Sequence, residues 1–366
     1  MGRLLIVTND FPPRRGGIET FVYECARRFP SDDVVVYTSR GEGDERFDAR
    51  LPFRVVRDPS RVLLPTPTVA ARARALITSY DCDRVWFGAA APLGLLAGRL
   101  GLPAVATAHG HEDWWARLPG TRAMLRRIGA RVTTVTYLSE RSRRRITPAF
   151  RCSTARLVPG VDVTMFRPDV DGDAVRRAHG LGRRPVVLSV SRLVARKGHD
   201  RLIRAMPAVR RAVPGAMLLI VGGGPQGFWL RGLAGAVAPG MVVFAGPVDH
   251  ADLPPYYAAA DAFAMPSRDR LLGLETEGLG IVALEAAAAG LPVLAGTSGG
   301  APDTVEDGIT GLLAGPDDDL APPLVRLLTD TTGMGRKGRA RVEREWTWDR
   351  THARLSALLD DARTLR

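Results

Sequence analysis

Two glutamates flank a glycine-containing turn and are spaced to hold a polar ligand at two points. Glu277 and Glu285 are separated by seven residues, and an Ala-rich helix is predicted to begin at Ile281 and to end at Gly290. A continuous helix would hold the two carboxylates about 12 Å apart along its axis. They are therefore not expected to share a proton. We expect Glu277 in the loop before the helix and Glu285 inside it, each binding a different part of one ligand.

The start of that predicted helix is an expected phosphate site. Glycine allows a ligand to approach the backbone closely, and the first N–H groups of a helix lie unpaired at the positive end of its dipole. The ligand layout that fits is a sugar nucleotide, with its diphosphate between sugar and ribose. The alternative is an ordinary amphipathic helix with a solvated glutamate at each end. The backbone groups expected at the phosphates belong to Gly278, Leu279, Gly280, Ile281 and Val282.

A basic loop follows the strand predicted over residues 185–191. It contains Arg192 and Lys197, and the chain has only one other lysine, Lys337. Two loop cations can converge on one diphosphate, the arginine through its planar fork and the lysine as a compact charge. A solvated basic loop is the alternative.

A glycine pair after the first predicted strand is a second expected phosphate contact. Gly16 and Gly17 open a helix and follow Asn9 and Asp10. Backbone amides at such a turn can face a phosphate. The spacing is not the G-x-G-x-x-G pattern of dinucleotide sites, and a plain strand-to-helix turn is the alternative.

A histidine pair follows the strand predicted over residues 103–107, at the sheet edge where α/β proteins bind ligands. His109 could act as a base, as a hydrogen-bond donor or as a metal ligand. With His111 and Glu112 it invites a zinc interpretation, but a further ligand at a suitable spacing is missing. A structural histidine is the other alternative.

Apolar runs alternate with amphipathic stretches along the whole chain, and this alternation predicts doubly wound α/β domains. Strands are predicted over 3–8, 33–38, 53–57, 83–87, 103–107, 131–135, 155–158, 185–191, 216–221, 241–245, 261–265, 292–295 and 310–313. Helices are predicted near 17–29, 66–79, 91–100, 120–129, 139–147, 199–213, 226–236, 251–258, 281–289, 317–329 and 333–344. The Pro- and Gly-containing segment 159–184 is predicted to connect two domains, 1–168 and 175–345.

Composition limits the class of protein and its partners. The chain has 366 residues and a net charge of +12. Its three cysteines are scattered, and their number and spacing fit neither a disulfide framework nor a metal site. No apolar run reaches the roughly 20 residues of a membrane span, and the N-terminus is expected to be a strand and not a signal peptide. The charge favours anionic partners, and a cytoplasmic location is expected.

These segments resemble the retaining glycosyltransferases of family four, which have the GT-B fold. The resemblance implies two Rossmann-like doubly wound parallel-sheet domains facing a cleft, with residues 346–366 forming a helix that crosses back onto the first domain. It implies that Glu277 faces the donor sugar, that Glu285 holds the ribose hydroxyls, and that Arg192 and Lys197 bind the leaving pyrophosphate.

The resemblance also assigns expected positions to the remaining residues. His109 would lie near the donor sugar and the acceptor, and Val248 near the base. Gly16 and Gly17 would cap the donor diphosphate. Asn9 and Asp10, in the same loop, would face the acceptor. The family uses no divalent metal, so neither a metal nor another cofactor is expected. It is generally held to react on one face of the sugar, with the leaving phosphate accepting the acceptor's proton.

One subgroup is especially similar, the actinobacterial phosphatidylinositol monomannoside mannosyltransferases. The likeness is carried by residues 107–112, 158–162, 298–305 and the Arg192 loop. It implies transfer of mannose from GDP-mannose to an inositol glycolipid. A UDP-sugar donor, another acceptor, a GT-B sugar-nucleotide epimerase and a non-catalytic binder are the alternatives.

An arginine-rich stretch, residues 122–151, lies just after Trp114 and Trp115. Arginines with nearby aromatic residues can dock on an anionic leaflet. We therefore expect peripheral attachment to the inner face of the plasma membrane. A solvated pair of helices is the alternative. No nucleic-acid partner is expected, because no reading helix or stacking platform accompanies the arginines.

Overall fold

The computed structural model describes residues 2–14, 16–110, 112–330 and 332–364. The chain forms two compact units, one of Met1–Gly160 with Trp348–Arg366 and the other of Val161–Thr347. Each unit is built on a parallel sheet with helices between its strands, which confirms the predicted α/β class.

A seven-stranded sheet forms the centre of the first unit. Its strands are β1 (Arg3–Thr8), β2 (Val34–Ser39), β3 (Arg54–Asp58), β4 (Cys82–Phe87), β5 (Ala104–Thr107), β6 (Thr134–Tyr137) and β7 (Ser153–Arg156). Its first seven helices are α1 (Gly17–Ala26), α2 (Asp44–Asp48), α3 (Pro67–Tyr80), α4 (Ala97–Leu100), α5 (Glu112–Trp115), α6 (Pro119–Gly129) and α7 (Glu140–Phe150). Short 3₁₀ turns cover Ser31–Asp33 and Leu93–Leu96.

The strand order of this sheet is β3-β2-β1-β4-β5-β6-β7. The connections therefore run outward in opposite directions from β1 and β4. Such a reversal leaves a crevice at the carboxyl ends of the two strands, where open α/β sheets bind ligands. Every residue of β2 and all but the first of β1 are buried, as expected for strands covered on both faces.

The second unit repeats this plan with six parallel strands. They are β8 (Val186–Val190), β9 (Met217–Val221), β10 (Val242–Gly246), β11 (Ala262–Met265), β12 (Val293–Gly296) and β13 (Gly311–Ala314). The helices are α8 (Asp173–Ala178), α9 (His199–Ala212), α10 (Gly227–Val237), α11 (Pro254–Ala258), α12 (Ile281–Ala288), α13 (Ala321–Leu328) and α14 (Met334–Glu345). Short 3₁₀ turns cover Ala195–Lys197, His250–Asp252, Leu271–Gly273 and Ala301–Thr304.

The second sheet has the order β10-β9-β8-β11-β12-β13, so its reversal lies between β8 and β11. Both strands are buried along their whole length. The loops that leave their carboxyl ends carry the Arg192 and Glu277 motifs. The fold therefore brings two segments that are distant in sequence to one place.

The C-terminal helix α15 (Trp348–Thr364) belongs to the first unit. Its Trp348 ring lies 6.2 Å from the Phe21 ring, and Thr351 Oγ1 donates a 2.9 Å hydrogen bond to the Val158 carbonyl. Arg363 pairs with Asp83 at 2.7 Å. These contacts fix the helix along its length.

The expected connector differs from the observed chain. The units divide between Gly160 and Val161, ahead of the expected boundary at residue 168, and residues 161–184 belong to the second unit. They include α8, whose preceding Gly172 packs so closely that an added Cβ would lie 2.5 Å from the Ala259 nitrogen. Glycine here permits close packing and not linker flexibility. The sequence interpretation also missed the short helices α2 and α5.

Candidate active site

An ion pair joins the two loops at the reversal of the second sheet. Lys197 ends the 3₁₀ turn after β8, and Glu277 lies in the loop after β11. Lys197 Nζ lies 2.7 Å from Glu277 Oε2 and 3.5 Å from the sulfur of Met265, the last residue of β11. The two side chains are only 11% and 9% exposed. The structure thus places an ammonium and a carboxylate together at the ligand-binding edge of the sheet.

The backbone around Glu277 is held by the loop that follows β12. The Glu277 N–H donates to Ser298 Oγ at 2.9 Å, and this hydroxyl donates to Asp269 Oδ1 at 2.7 Å. The Glu277 carbonyl accepts from Gly300 N–H at 3.0 Å. Gly299 has a φ of +56°, and an added Cβ would lie 1.7 Å from the Glu277 oxygen. Glycine is therefore required for the approach of these two loops.

Arg192 lies on the same loop as Lys197 but is exposed. Its guanidinium has no hydrogen-bond or ion-pair partner in the part of the chain that the structure describes. An unpaired exposed arginine at this edge remains available to an anionic group. Lys197 contacts Glu277, whereas Arg192 contacts neither residue, so the convergence of the two cations on one diphosphate stays a prediction.

The loop that carries both cations is itself firmly attached. The Arg268 guanidinium donates to both Asp200 oxygens, at 3.0 and 2.9 Å, and the Arg268 N–H donates to the Arg196 carbonyl. His199 is buried, with Nε2 3.1 Å from Ser191 Oγ. Burial, with the Lys197 ammonium nearby, lowers the pKa of His199 to about 4. The ring is therefore neutral at pH 7.

The amino end of α12 exposes unpaired backbone donors. Gly280 precedes the helix with a φ of +83°, and the Ala283 N–H bonds back to its carbonyl. Among the described residues, the N–H groups of Ile281 and Val282 meet no acceptor. These donors are available to an anion, and phosphate binding at this end of α12 stays a prediction. Gly278 is exposed, whereas Leu279 is buried and anchors the turn.

Glu285 is buried inside α12, and two residues not anticipated from the sequence contact its carboxylate. Tyr257 on α11 donates to Oε2 at 2.8 Å, and His250 Nε2 lies 2.9 Å from Oε1. Burial and the adjacent carboxylate raise the pKa of the Tyr257 hydroxyl well above its usual range. Both rings pack edge-on against Phe166, at 5.3 and 5.4 Å. The carboxylate is thus held in one orientation.

Val248 lies between β10 and the 3₁₀ turn that carries His250, and its side chain is half-buried. It therefore occupies the segment that leads to the Glu285 contacts. The only local signal for His250 and Tyr257 in the sequence was their position after β10, because their partner lies in another element.

In the first unit, the loop after β1 carries the predicted glycine pair. Gly16 and Gly17 are exposed at the amino end of α1, where no side chain caps the helix. Asn9 uses both ends of its amide on Leu63: Nδ2 donates to the carbonyl at 3.0 Å and Oδ1 accepts from the N–H at 2.7 Å. Asp10 is half-buried, and its N–H donates to Thr8 Oγ1. The Asn9 side chain therefore positions a second loop.

His109 follows β5, and its ring reaches the ends of the neighbouring segments after β4 and β1. Its Nε2 lies 2.6 Å from the carbonyl of Gly88, the residue directly after β4, and its ring packs edge-on to Phe21 at 5.4 Å. A carbonyl only accepts hydrogen bonds, so Nε2 carries the proton. The buried Glu112 accepts from the His109 and Gly110 N–H groups at 3.0 and 3.2 Å. His111, which entered the zinc alternative, lies outside the described residues.

Each unit therefore presents polar groups at the carboxyl edge of its own sheet. The second unit offers cations and helix amides that can face an anion, with one buried carboxylate near each end of the segment 277–285. No cluster of three or more metal-ligating side chains occurs within residues 2–14, 16–110, 112–330 and 332–364. In the same ranges, no helix is long and apolar enough to span a membrane.

Family models match both halves of the chain. The model described as "Glycosyltransferase Family 4" matches residues 15–164, and that described as "Glycosyl transferases group 1" matches residues 171–343. Curated relatives extend the match to the whole length. The GDP-mannose-dependent alpha-(1-6)-phosphatidylinositol monomannoside mannosyltransferase of Mycobacterium tuberculosis is 47% identical over 99% of this chain and 100% of its own.

A second relative has a related name. The GDP-mannose-dependent monoacylated alpha-(1-6)-phosphatidylinositol monomannoside mannosyltransferase of Corynebacterium glutamicum is 44% identical, over 98% of this chain and 97% of its own. Among solved structures, Anabaena HepE in complex with UDP and glucose superposes with a TM-score of 0.78, covering 99% of this chain and 100% of its own, at 20% identity. At that identity the likeness concerns the fold alone.

Proposed function

Because the chain belongs to the family-four glycosyltransferases, we propose that it transfers mannose from GDP-mannose to a phosphatidylinositol monomannoside. The curated relatives named for this activity are 44% to 48% identical over nearly the full length. The four residues of this chain that match the family's donor motif, Arg192, Lys197, Glu277 and Glu285, are all present. The epimerase and binder alternatives lack comparable support.

The observation that carries the proposal is the Lys197–Glu277 pair at the reversal of the second sheet. Breaking the bond between mannose and GDP leaves negative charge on the diphosphate. A buried ammonium at 2.7 Å from a carboxylate is fixed in place before the reaction, so it stabilises that charge without reorganising. Glu277 in turn lies where it can accept hydrogen bonds from sugar hydroxyls while its other interactions hold the loop.

The remaining groups of the second unit bind the rest of the donor. Arg192 contributes an exposed second cation, and the free N–H groups of Ile281 and Val282 receive the phosphates. Glu285 accepts from the ribose hydroxyls, because each of its oxygens retains acceptor capacity beside the Tyr257 and His250 contacts. Val248 lies on the segment that faces the base through its main chain.

The first unit supplies the groups near the acceptor. His109 is held by the Gly88 carbonyl and the Phe21 ring, and in this proposal it lies near the donor sugar and the acceptor. Gly16 and Gly17 give exposed backbone close to the same sheet edge, and Asn9 and Asp10 shape that loop. The acceptor hydroxyl attacks the anomeric carbon on the face that the diphosphate leaves, and its proton passes to the leaving phosphate oxygen. The configuration of the sugar is thereby retained.

We further propose that the reaction needs no metal and occurs at the surface of an anionic membrane, with no nucleic acid involved. Helices α6 and α7 lie side by side in the first unit. Arg126, Arg127 and Arg131 are exposed and have no ion-pair partner among the described residues. Each such arginine contributes about 1 kcal/mol of attraction near an anionic leaflet. Peripheral attachment at the inner face of the membrane would bring the chain to its lipid acceptor.

Donor selection by the purified protein tests the proposed function. GDP-mannose, UDP-glucose and UDP-N-acetylglucosamine are each supplied with a phosphatidylinositol monomannoside in EDTA, and nucleotide release is measured. We expect acceptor-dependent release of GDP only. Release of UDP alone would overturn the donor, a requirement for added Mg²⁺ would overturn metal independence, and isomerised donor without acceptor would favour an epimerase.

A further inference from the structure

Three leucines project into solvent from the loop between β11 and Glu277. Leu271, Leu272 and Leu274 are 58%, 96% and 50% exposed. They belong to the segment Arg270–Glu275, which we call the leucine tip. Single exposed apolar residues are ordinary, but three within four positions at a loop apex form a patch of the kind that marks an interaction surface.

The backbone of the leucine tip is left-handed at consecutive residues, and its leucine side chains are exposed. Leu271 and Leu272 have φ angles of +47° and +54°, and Gly273 follows at +84°. Leucine rarely adopts this left-handed conformation, and two consecutive examples are unusual. Such outliers persist where the surroundings enforce them, and they cluster at functional sites.

Part of the backbone of the leucine tip is paired within the tip. Arg270 and Glu275 exchange both N–H···O bonds, at 3.0 and 3.2 Å, and close the loop. The N–H groups of Gly273 and Leu274 bond back to the carbonyls of Arg270 and Leu271. Each such internal bond lowers the cost of bringing the segment into an apolar medium, where an unpaired backbone group is costly.

The base of the leucine tip is charged and anchored. Arg268 is fixed to Asp200 by two hydrogen bonds, so the loop leaves a rigid root. The Arg270 side chain is 40% exposed and lies 3.5 Å from Glu275, which leaves most of its donors for another anion. An apolar apex above an arginine matches the order of acyl chains and phosphates in a phospholipid leaflet.

We propose that the leucine tip inserts into the acyl-chain region of a phospholipid leaflet while Arg270 binds the adjacent phosphates. This inference rests on the proposed function, because a lipid-linked acceptor has to be reached at a membrane. The tip lies in the second unit, shortly before Glu277, and its contact is separate from that proposed for Arg126, Arg127 and Arg131.

The test compares a tip variant with a matched surface variant of the full chain. The tip variant combines Leu271→Asn, Leu272→Asn and Leu274→Ser, because asparagine tolerates the left-handed backbone. The control is Ile309→Asn, since Ile309 is 52% exposed on a different loop of the same unit. Thermal unfolding is measured first, and we expect neither variant to lose stability.

Sedimentation with vesicles of phosphatidylcholine and phosphatidylinositol gives the first readout. Removing three leucines from hydrocarbon should weaken partitioning by at least about tenfold, whereas Ile309→Asn should leave it unchanged. Equal binding of the tip variant would overturn the proposal. A wild-type dimer that the tip variant loses, with vesicle binding unaltered, would assign the leucine tip to a second copy and also overturn it.

Mannosyl transfer gives the second readout and separates the two proposals. The tip variant should lose transfer to a lipid acceptor in vesicles and keep transfer to the deacylated, water-soluble acceptor. Equal loss with both acceptors would show that the tip serves the donor site and would overturn the membrane role. Absence of transfer by the wild-type chain would contradict the proposed function, while vesicle binding still reports on the leucine tip.

Discussion

Lys197 and Glu277 form a buried ion pair, with Nζ 2.7 Å from Oε2, between the loops that leave β8 and β11. The pair joins the two strands at which the strand order of the second sheet reverses. Removing a single partner leaves an uncompensated charge in a poorly solvated place. The same contact therefore serves both the stability of the unit and, in the proposed function, the departure of GDP.

Lys197→Met should affect activity and stability together. The free energy of unfolding should fall by about 2–3 kcal/mol because Glu277 is left unpaired, and kcat should fall by about 100-fold or more because the leaving diphosphate loses a fixed cation. Urea unfolding and initial rates of GDP release measure the two effects.

A second substitution separates the effect on stability from the effect on activity. Lys197→Met with Glu277→Gln removes both charges, so most of the lost stability should return while activity stays low. Recovery of activity together with stability would show that Lys197 acts only through folding.

Arg192→Ala should lower activity without changing stability. The guanidinium is exposed and unpaired among the described residues, so the free energy of unfolding should stay within about 0.5 kcal/mol. In the proposed function the variant loses a cation at the diphosphate, and kcat/KM for GDP-mannose should fall by about 100-fold. Arg183→Ala is the matched control, because Arg183 is an exposed arginine before β8 and Arg192 follows that strand. Similar losses in both variants would point to a general charge effect.

Tyr257→Phe should weaken donor binding through Glu285. The substitution removes a 2.8 Å hydrogen bond to a buried carboxylate, which costs about 2 kcal/mol of stability. The carboxylate also loses its fixed orientation, so KM for GDP-mannose should rise about tenfold while kcat changes less. Steady-state kinetics measure whether KM rises while kcat changes less. Tyr256→Phe, on the neighbouring residue of α11, should change neither constant, and an unaltered KM in Tyr257→Phe would remove Tyr257 from donor binding.

His199 should make the protein less stable as the pH falls. An unfolded histidine takes up a proton near pH 6.5, whereas burial holds the pKa of His199 at about 4 in the folded chain. The unfolded state therefore binds more protons between these values, and about 2 kcal/mol of stability should be lost between pH 7 and pH 5. His199→Gln, which retains a polar partner for Ser191, should show a pH dependence weaker by that amount. If the free energy of unfolding depends on pH in the same way in the wild type and in His199→Gln, His199 is not the group responsible.

Much of the fold could be predicted from local pattern. Apolar runs such as Met217–Val221 are buried parallel strands, and Gly280 and Gly290 mark where α12 begins and ends. The observed strand bounds lie within a few residues of the predicted ones. The failures are short or composition-biased segments. Helix α8 was not predicted, because its Pro- and Gly-containing segment was interpreted as a linker. Glycine occurs in closely packed segments as well as in flexible ones.

The candidate site was predictable only where its residues lie in a sequence motif. Glu277, Glu285, Arg192 and Lys197 stand at recognisable spacings, but their pairing depends on which strands are neighbours. His250 and Tyr257 could not be found, because they meet Glu285 across elements that only the folded sheet brings together. Asn9 was predicted as an acceptor ligand, and its amide is occupied by the Leu63 backbone. Its role in acceptor binding stays a prediction.

Transfer of labelled mannose from GDP-mannose to a phosphatidylinositol monomannoside tests the central claim most directly. The purified chain, its Lys197→Met variant and the Arg183→Ala control are assayed in EDTA, and the lipid product is isolated. We predict a dimannosylated lipid, with the anomeric configuration of the donor retained, from the wild type and the control but not from Lys197→Met. Labelled lipid made equally by Lys197→Met, or none made by the wild type while the donor is bound, would contradict the account.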